Sequence, residues 1–465
     1  MCRGAHPGPG ARHTEDDDPI APSRIRRIPG FLLRHVRQAA RSPARLALRW
    51  YARGEPRAQQ TGDGRRRVFI LLGSAWGVGG TIRASHNLAA HLSSAYDVEI
   101  LSVMRRVDEP FFEFPPGVKV TALDDQRPGA PPQRLRFVRR LLAGRPSVLI
   151  HPADRAAGIC NLWVDLQLVR KLRGQKGFLI GTRPGFNLIA ADLSPPGLVT
   201  IGQEHMHLSH HSRPLRRAIR RRYRKLGAIA VLTDKDKHEY EEFLDGNVPL
   251  VRIPNAAEIG GPPADLESRT ILAAGRLTRQ KGFDMLIPAF GHVVRTHPDW
   301  RLRICGRGHL REELERQVEE EGLADVVELP GPQDLAREMA EASIFVLSSR
   351  FEGFPVALLE AMSKGMAVVS FDCPTGPAEL LDDHRNGLLV PPRQVDALAA
   401  AMLELVEDDD LRRRCGPAAL ETAQDYRMES IGPRWEALLT ELTEAPGQGG
   451  SGRSDGRART VDSAR

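Results

Sequence analysis

The stretch that decides the fold runs Ser348-Ser-Arg-Phe-Glu-Gly-Phe-Pro-Val-Ala-Leu-Leu-Glu-Ala-Met362 and follows the short apolar run Ile344–Leu347. It predicts a strand, a loop with a glycine and a proline, and then a helix. Glu352 falls in the loop, and Glu360 falls inside the helix eight positions later. The helix start directs unpaired backbone N–H groups at the loop, where they can bind phosphate, and carboxylates can accept hydrogen bonds from sugar hydroxyls. The segment therefore predicts a site for a phosphate-linked sugar.

A second segment supports the same kind of ligand. It runs Thr270-Ile-Leu-Ala-Ala-Gly-Arg-Leu-Thr-Arg-Gln-Lys-Gly-Phe-Asp284 and predicts a strand that ends at Gly275, followed by Arg276 and by Lys281 at the next helix. The chain holds 58 Arg and only 8 Lys, so a lysine at this position is informative. Lysine supplies a compact point charge for phosphate. The alternative interpretation is a solvated basic turn.

Together the two segments resemble the retaining family-4 glycosyltransferases of the GT-B architecture, whose C-terminal domain carries G-R-L-x-x-x-K-G and E-x7-E motifs. Weaker similarity extends from about Arg67 to about Leu439. The run Asp372-Cys-Pro-Thr-Gly-Pro377 resembles members that build cell-envelope polysaccharides, including those of the teichoic-acid type. The resemblance implies a nucleotide-diphosphate sugar as donor substrate, with UDP as the expected nucleotide, and no cofactor.

The resemblance also implies which residues carry the reaction. Arg276 and Lys281 would neutralise the leaving diphosphate. Glu352 and His205 would contact the donor sugar, and Glu360 would accept hydrogen bonds from the ribose. The other donor-binding positions lie in strand-to-helix turns, in the interdomain linker and at the start of the helix that holds the second glutamate: Gly79, Gly80, Asn255, Gly306, Gly308, Gly353, Phe354, Pro355 and Val356.

Several motifs allow other interpretations. The glycine-rich turn at 73–81 can be a tight turn that needs no ligand. Four histidines lie within residues 205–211 and could hold a metal ion, but the sequence offers no second ligand cluster. The run Asp234-Lys-Asp236 matches the D-x-D motif of metal-dependent transferases. It falls where a helix begins after a strand, and acidic residues there favour the helix dipole. We therefore expect no metal.

Composition describes a globular protein with more than one domain. The chain has 465 residues, of which 41% are apolar and 27% are charged, enough to form two or three hydrophobic cores. It has no run of eighteen apolar residues and no apolar signal-peptide region near its start, so we expect neither a membrane-spanning helix nor secretion. Five scattered cysteines without a C-x-x-C motif are typical of reduced thiols. These features predict a cytoplasmic protein.

Short apolar runs alternate with helical patterns in two successive series, as in domains whose parallel strands are covered on both faces. We predict an α/β fold of two doubly wound, Rossmann-like domains that face a cleft. The predicted strands are 67–72, 98–103, 118–123, 148–150, 178–180, 199–202 and 228–232, then 270–274, 301–305, 326–329, 344–347, 367–371 and 388–390. The predicted units are a basic, partly disordered extension (1–64), an acceptor domain (65–256), a nucleotide-sugar donor domain (266–420), a C-terminal helix that returns to the first domain (421–444) and a disordered tail (445–465).

The positive charge is concentrated at the N-terminus. Residues 1–67 hold 15 Arg and 6 acidic residues, whereas the whole chain has a net charge of +7. Within 25–53 arginines alternate with apolar side chains, and Ser42-Pro43 predicts a helix start. Residues 213–225 predict a helix with eight basic side chains. Both segments could bind an anionic membrane surface, and the alternatives are a disordered tail and a solvated helix. The second segment has one aromatic residue and offers no stacking platform, so nucleic acid is not expected.

The sequence thus favours a retaining, metal-independent glycosyltransferase that acts near the membrane on a cell-envelope glycan or a lipid-linked acceptor. A second interpretation is a sugar-nucleotide epimerase or hydrolase, which would consume the donor without an acceptor. A third is a catalytically silent nucleotide-sugar or polyanion binder. Such a binder would show no turnover, and it would be free to lose the charged residues that both motifs retain.

Overall fold

The computed structural model of the protein describes residues 43–54, 64–130, 136–257 and 260–444. The chain forms two α/β domains, each built on one sheet. The first domain contains β1 (Arg67–Leu72), β2 (Asp97–Arg105), β3 (Lys119–Asp125), β4 (Gly177–Gly181), β5 (Leu198–Gln203), β6 (Ala228–Val231) and β7 (Leu250–Arg252). Its helices are α1 (43–52), α2 (Gly80–Leu92), α3 (Arg136–Ala143), α4 (Leu162–Leu172), α5 (Pro184–Leu193), α6 (Arg213–Arg222) and α7 (Asp234–Leu244).

The second domain begins after a linker. Its strands are β8 (Thr270–Ala274), β9 (Arg301–Cys305), β10 (Val327–Gly331), β11 (Ile344–Leu347), β12 (Ala367–Phe371) and β13 (Leu388–Val390). Its helices are α8 (Phe283–Thr296), α9 (Arg311–Glu320), α10 (Leu335–Ala340), α11 (Val356–Ser363), α12 (Pro377–Leu380), α13 (Val395–Glu407) and α14 (Asp409–Gln424), and α15 (Met428–Glu444) ends the described chain. None of the helices within the described ranges is long and apolar enough to cross a membrane.

Both sheets are parallel throughout. The strand orders are β3-β2-β1-β4-β5-β6-β7 and β10-β9-β8-β11-β12-β13. Successive residues of β1 enter different cores: Phe69 packs on one face of the sheet and Ile70 on the other. In β11, Phe345 and Val346 divide in the same way between two cores. Two covered faces explain why these strands are continuous apolar runs, and each buried side chain of this size contributes about 1.5 to 3 kcal/mol.

The last helix returns to the first domain. In α15, Trp435 is 2% exposed and packs in the core that contains Ile70 of β1. Glu436 Oε1 lies 2.8 Å from Nε2 of His91 in α2, within hydrogen-bonding distance. Gly432 lies so close to the His91 ring that a Cβ there would overlap it. This helix therefore ties the end of the chain to the N-terminal sheet.

One predicted strand is wrong and another was missed. Residues 148–150 form bends because side chains, not a neighbouring strand, accept their backbone N–H groups. The Asp165 carboxylate accepts from the Val148 N–H at 2.7 Å, and Ser147 Oγ accepts from the Ile150 N–H at 3.0 Å. The missed strand is β7, whose three half-buried residues lack the apolar run of the other strands.

Residues 43–52 are helical and form α1, whereas the predicted helix start at Ser42-Pro43 falls at the edge of the described residues and stays a prediction. The predicted helix at 213–225 is confirmed as α6, which continues as a short 3-10 turn at Tyr223–Lys225. The predicted basic segment before residue 43 and the predicted tail from 445 lie outside the described residues.

Candidate active site between the two domains

The two sequence motifs of the second domain lie in adjacent loops. Ser348 Oγ donates to the Lys281 carbonyl at 2.9 Å, and the Arg350 N–H donates to the Gln280 carbonyl at 2.8 Å. Gly282 has a φ of +68°, and a Cβ there would overlap the Ser348 carbonyl. Glycine is therefore required where the β8–α8 loop passes the β11–α11 loop.

Lys281 and Glu352 form the centre of these loops. Lys281 Nζ lies 2.6 Å from Glu352 Oε1, and the two side chains are 15% and 8% exposed. Ser349 Oγ also donates to Glu352 Oε1 at 2.6 Å. The Thr375 hydroxyl donates to the Glu352 backbone carbonyl. The carboxylate is therefore held in one orientation by a cation and a hydroxyl at the start of α11.

Arg350 adds a support that sequence reasoning missed. Its guanidinium binds both carboxylate oxygens of Asp284 at 2.7 and 2.6 Å. Burial is the largest single influence on the Asp284 carboxyl and acts to raise its pKa. The hydrogen bonds and the charge of the Arg350 guanidinium act against it, and the resulting pKa lies below its usual value. The pair joins the first turn of α8 to the loop that carries Glu352. The sequence feature that could have indicated this pair is Arg350 itself, a basic residue two positions before Glu352.

Glu360 lies inside α11, as predicted from the spacing, and is 3% exposed. Its Oε1 lies 2.8 Å from Arg83 Nη1 of α2, across the interdomain cleft. Burial raises the pKa of Glu360, while the charges of Arg83 and Lys281 act to lower it. Sequence reasoning missed Arg83, because no local pattern relates α2 to α11.

The N-terminal side of the cleft touches the same helix start. A Cβ at Gly353 would overlap the backbone carbonyl of His205, and a Cβ at Gly80 would lie 3.2 Å from Val356 Cγ2. Gly353 has no room for a side chain while the domains are in this contact, and at Gly80 the Val356 side chain would have to shift slightly. Gly79, with a φ of +144°, meets no atom of the described residues within 4 Å of the position of a Cβ.

His205 lies where the two domains meet. The residue is 8% exposed, and neither ring nitrogen has a hydrogen-bond partner among the described residues. Burial lowers the pKa of His205 to about 4, so the imidazole is neutral near pH 7. A neutral ring with unused nitrogens can donate to or accept from a ligand hydroxyl.

Two predicted site residues are placed differently from the central pair. Arg276 is exposed, and its Nη2 lies 3.4 Å from Gln280 Oε1, whereas the ion pair with Glu352 is made by Lys281. Asn255 is 4% exposed, and its Oδ1 lacks a partner within the described part of the chain.

Other predicted donor-binding residues have structural reasons for their identity. Cβ atoms at Gly306 and Gly308 would overlap the carbonyls of Gly275 and Leu277, because these two turns pack backbone to backbone. Phe354 is 6% exposed, and its ring lies 5.9 Å from that of Tyr426. Pro355 immediately precedes the first residue of α11. A contact between these residues and a nucleotide stays a prediction.

The histidine-rich loop contributes to a polar cluster. Ligand atoms of His207, Asp236 and Glu239 lie within 4.8 Å of one another. Each has a local partner: His207 Nε2 lies 2.7 Å from Glu239 Oε2, and Thr233 Oγ1 donates to Asp236 Oδ2 at 2.6 Å. Burial raises the pKa of Asp236 to about 6. Thr233 also caps α7, accepting from the Asp236 N–H, so the D-x-D motif stabilises a helix start.

A further contact joins the domains beside this cluster. Glu379 of α12 accepts from the Lys235 backbone N–H at 3.3 Å and from Arg252 Nη2 at 3.2 Å. Arg252 also lies 3.2 Å from Asp234. The first D-x-D aspartate is thus part of an interdomain network, and sequence reasoning missed it.

The second domain is similar to a known protein family. Residues 257–422 match the family model of glycosyl transferases group 1. This range contains the β8–α8 and β11–α11 loops, and with them Lys281, Glu352 and Glu360.

Similarity to curated proteins extends over most of the chain. An exopolysaccharide phosphotransferase of Streptomyces coelicolor is 38% identical over 388 residues, which cover 81% of this chain and 41% of that protein. The chain therefore spans less than half the length of this relative. A glycosyltransferase of amylovoran biosynthesis from Erwinia amylovora is 25% identical over 382 residues, which cover 80% of this chain and 99% of that protein.

Solved structures show the same fold. The structure of Staphylococcus aureus TarM in complex with fondaparinux, α-GlcNAc-glycerol and UDP superimposes with a TM-score of 0.65 at 16% identity, covering 80% of this chain and 99% of that one. This likeness and the two parallel sheets confirm the predicted GT-B fold class. The family match and the names of the relatives support a glycosyltransferase.

Proposed function

We propose that the chain is a retaining, metal-independent glycosyltransferase, which moves a sugar from a UDP-sugar to a cell-envelope glycan, a teichoic-acid-like polymer or a lipid-linked acceptor. The observation that carries the proposal is the cluster of Lys281, Glu352 and Ser349 at the start of α11, with Glu360 buried behind it. This cluster faces the N-terminal domain at His205. A nucleotide sugar bound in the cleft would meet a cation, two carboxylates and a helix start.

Charge stabilisation follows from this arrangement. Breaking the sugar–phosphate bond places negative charge on the leaving diphosphate. Lys281 and the N–H groups at 353–356 would stabilise that charge as it grows, and Arg276 would assist from the exposed rim. Each such donor is worth about 2 to 4 kcal/mol of barrier, or roughly 30- to 1000-fold in rate. A fixed cation and a helix dipole supply the charge that a metal ion would otherwise provide.

The carboxylates have separate roles in this proposal. Glu352, oriented by Ser349, would hold the hydroxyls of the donor sugar and favour positive charge at its anomeric carbon. Glu360 would bind the ribose, and it would give position and little chemistry. His205 is neutral and would contact the donor sugar without carrying charge. Retention rests on the family-4 resemblance, with a donor phosphate oxygen taking the proton of the acceptor.

Relatives support the choice of substrates. The TarM structure contains UDP, and the names of the two curated relatives refer to an exopolysaccharide and to amylovoran biosynthesis. A protein that adds sugars to such a polymer would act in the cytoplasm, at the inner face of the cell membrane. The choice of UDP, of a polymeric acceptor and of this location belongs to the proposal.

A donor screen tests the proposal. The full chain is incubated with UDP- and GDP-sugars, first by thermal shift and then with envelope extracts, and sugar transfer is followed by mass spectrometry. We expect one donor to raise the melting temperature and to yield a glycosylated product. Glu352→Ala should abolish most transfer, while Lys119→Ala, which removes an exposed lysine of β3, should leave the rate unchanged.

Three results would contradict it. Donor consumption at the same rate without an acceptor would identify a hydrolase or epimerase. Donor binding without turnover in any extract would identify a silent binder. Transfer by Glu352→Ala at the wild-type rate would remove the proposed site from the reaction.

A further inference from the structure

Helix α1 is attached to the outside of the N-terminal domain. Arg45 forms an ion pair with Asp192 at the end of α5. Ala52 is 1% exposed and belongs to the core of that domain. The Arg173 guanidinium lies 4.4 Å from the centre of the Tyr51 ring. These contacts fix one face of α1, and so they also determine which face points outward.

The outward face of α1 is apolar, although the solvent-exposed face of a surface helix is usually polar. Leu46 is 62% exposed and Trp50 is 80% exposed. The two are four residues apart and lie on one face of the helix, with the exposed Arg53 three residues further on. The other four tryptophans of the chain are at most 6% exposed: Trp76, Trp163, Trp300 and Trp435. Tryptophan is enriched at membrane interfaces, because its apolar ring can contact acyl chains while its polar N–H contacts headgroups or water.

Helix α6 brings positive charge to the same place. Arg222 Nη1 lies 2.9 Å from Asp192, so Arg45 and Arg222 share one carboxylate. Burial lowers the pKa of Arg222, and the nearby charges of Arg45, Arg49 and Arg221 also lower it. Two arginines thus share one carboxylate, and Arg49 and Arg221 lie near enough for their charges to act on Arg222. The surplus positive charge lies beside the exposed apolar face of α1.

The location separates this surface from the active site. Asp192 lies in the last turn of α5, which leads back to the amino end of β5. The cleft lies at the opposite edge, where the carboxyl ends of the strands open. Docking here would leave the cleft accessible.

We propose that Leu46 and Trp50 of α1, with Arg49, Arg53 and Arg221 around them, form a docking surface for an anionic lipid bilayer. The apolar pair enters the interface between headgroups and acyl chains, and the arginines bind the acidic headgroups. This deepens the predicted membrane contact of segments 25–53 and 213–225, because it places α1, the described part of the first segment, beside α6 of the second. It does not depend on the reaction proposed for the cleft.

Helix α3 supplies a matched comparison. Phe137 and Leu141 are 81% and 50% exposed and are also four residues apart. Its Arg139, however, is paired with Asp124 at 2.8 Å. Both helices expose a similar apolar pair, and α3 also exposes Arg140, but more arginines lie at α1: Arg49 of the helix itself, Arg53 just after it and Arg221 of α6. Charge complementarity selects α1 for an anionic bilayer.

Co-sedimentation with vesicles tests the surface. The full chain is mixed with vesicles of phosphatidylcholine alone, or with one third phosphatidylglycerol. We expect binding to the anionic vesicles that weakens with salt. Leu46→Ser/Trp50→Ser should reduce the partition coefficient about tenfold or more, and Arg221→Gln about fivefold. Phe137→Ser/Leu141→Ser should bind as the wild type does, and all variants should consume donor at equal rates in solution.

Fluorescence adds a readout that is specific to α1. Because the other tryptophans are buried, brominated lipids should quench mainly Trp50 when the protein binds. Trp50→Phe should lose this quenching and keep most of the binding.

Four outcomes would overturn the proposal: no binding to anionic vesicles, unchanged binding of the α1 double variant, loss of binding in the α3 variant, or self-association in vesicle-free solution that the α1 variant abolishes. The second would place docking in the preceding residues, and the last would identify a second copy as the occupant.

Discussion

The two sides of the cleft are built differently. On the C-terminal side, charged groups already bind one another: Lys281 holds Glu352, and Arg350 holds Asp284. On the N-terminal side, His205 has two ring nitrogens without partners among the described residues, and Gly79 leaves open space. The C-terminal side is therefore a preorganised electrostatic site. The N-terminal side is a surface with polar groups that are free to bind a ligand.

This difference indicates which side of the cleft favours the bond-breaking step and which side gains free energy when a ligand binds. A preorganised site needs little rearrangement as charge develops, which favours the bond-breaking step. A buried and unpaired imidazole costs free energy until a ligand satisfies it. The C-terminal side is therefore suited to the donor diphosphate, and the N-terminal side to sugar or acceptor groups that arrive later. Four predictions test this division.

The largest effect is expected at the preorganised pair. Lys281→Ala and Glu352→Ala should each lower the turnover number by roughly 30- to 1000-fold, because each removes a charge that we propose acts on the reacting bond. Since the two side chains contact each other, the double variant should lose much less than the sum of the two free energies. Steady-state kinetics of the four proteins measure this coupling. Fully additive losses would show that the two residues act independently.

The next largest effect is expected where the two sides touch. Gly353→Ala places a methyl group against the His205 carbonyl and should force the domains apart. A displacement of about 1 Å at the site can cost about 100-fold in rate, so kcat/KM should fall by that order. Gly158→Ala is the control, because a Cβ there meets nothing within 4 Å. Equal activity of the two variants would mean that the domain contact is not part of the active form.

A third prediction concerns the ion pair that crosses the cleft. Arg83→Ala leaves the buried Glu360 carboxylate without its partner and should cost about 1 to 3 kcal/mol of unfolding free energy. Burial already raises the pKa of Glu360, and losing Arg83 raises it further. A raised carboxyl pKa means that the folded state keeps its proton to higher pH, so stability falls as pH rises through that pKa.

The loss in Arg83→Ala should therefore be larger above about pH 7 than below about pH 5. Urea unfolding at the two pH values measures it. Arg220→Ala, which breaks an exposed pair with Asp245 within the N-terminal domain, serves as the control, because no buried carboxylate loses its partner there. A loss of the same size at both pH values would show that Arg83 supports packing and not the charge of Glu360.

The smallest effect is expected at the supporting pair. Asp284→Asn keeps the shape of the side chain but removes its charge toward Arg350, and should cost about 1 kcal/mol of stability because both groups are partly exposed. Turnover should change little, since neither group faces the reacting bond. Unfolding curves and kinetics of the same preparation check this, and a loss as large as that of Lys281→Ala would make Arg350 part of the reaction.

Much of the second domain could be predicted from sequence. The strands 270–274, 301–305, 344–347, 367–371 and 388–390 match the observed strands residue for residue. Parallel strands with two covered faces carry their signal in a short apolar run, which is local. Residues 148–150 carry the same signal but form bends, because the Asp165 carboxylate and the Ser147 hydroxyl capture their N–H groups. That competition depends on α4, which a local pattern does not contain.

The features of the site also divide into those that local sequence patterns predict and those that depend on tertiary packing. The sequence by itself determined the two strand–helix series and placed Lys281, Glu352 and Glu360 in the loops and helix that follow two of the strands, because short apolar runs and helix starts are local patterns. Only the tertiary structure decided that Arg83 pairs with Glu360, that His205 is buried against Gly353 and that Arg45 and Arg222 share Asp192. Arg45 precedes Asp192 by 147 residues and Arg222 follows it by 30. Contacts at such separations depend on how whole helices and strands pack. Hydrophobic periodicity in the sequence, by contrast, carries information only about residues a few positions apart.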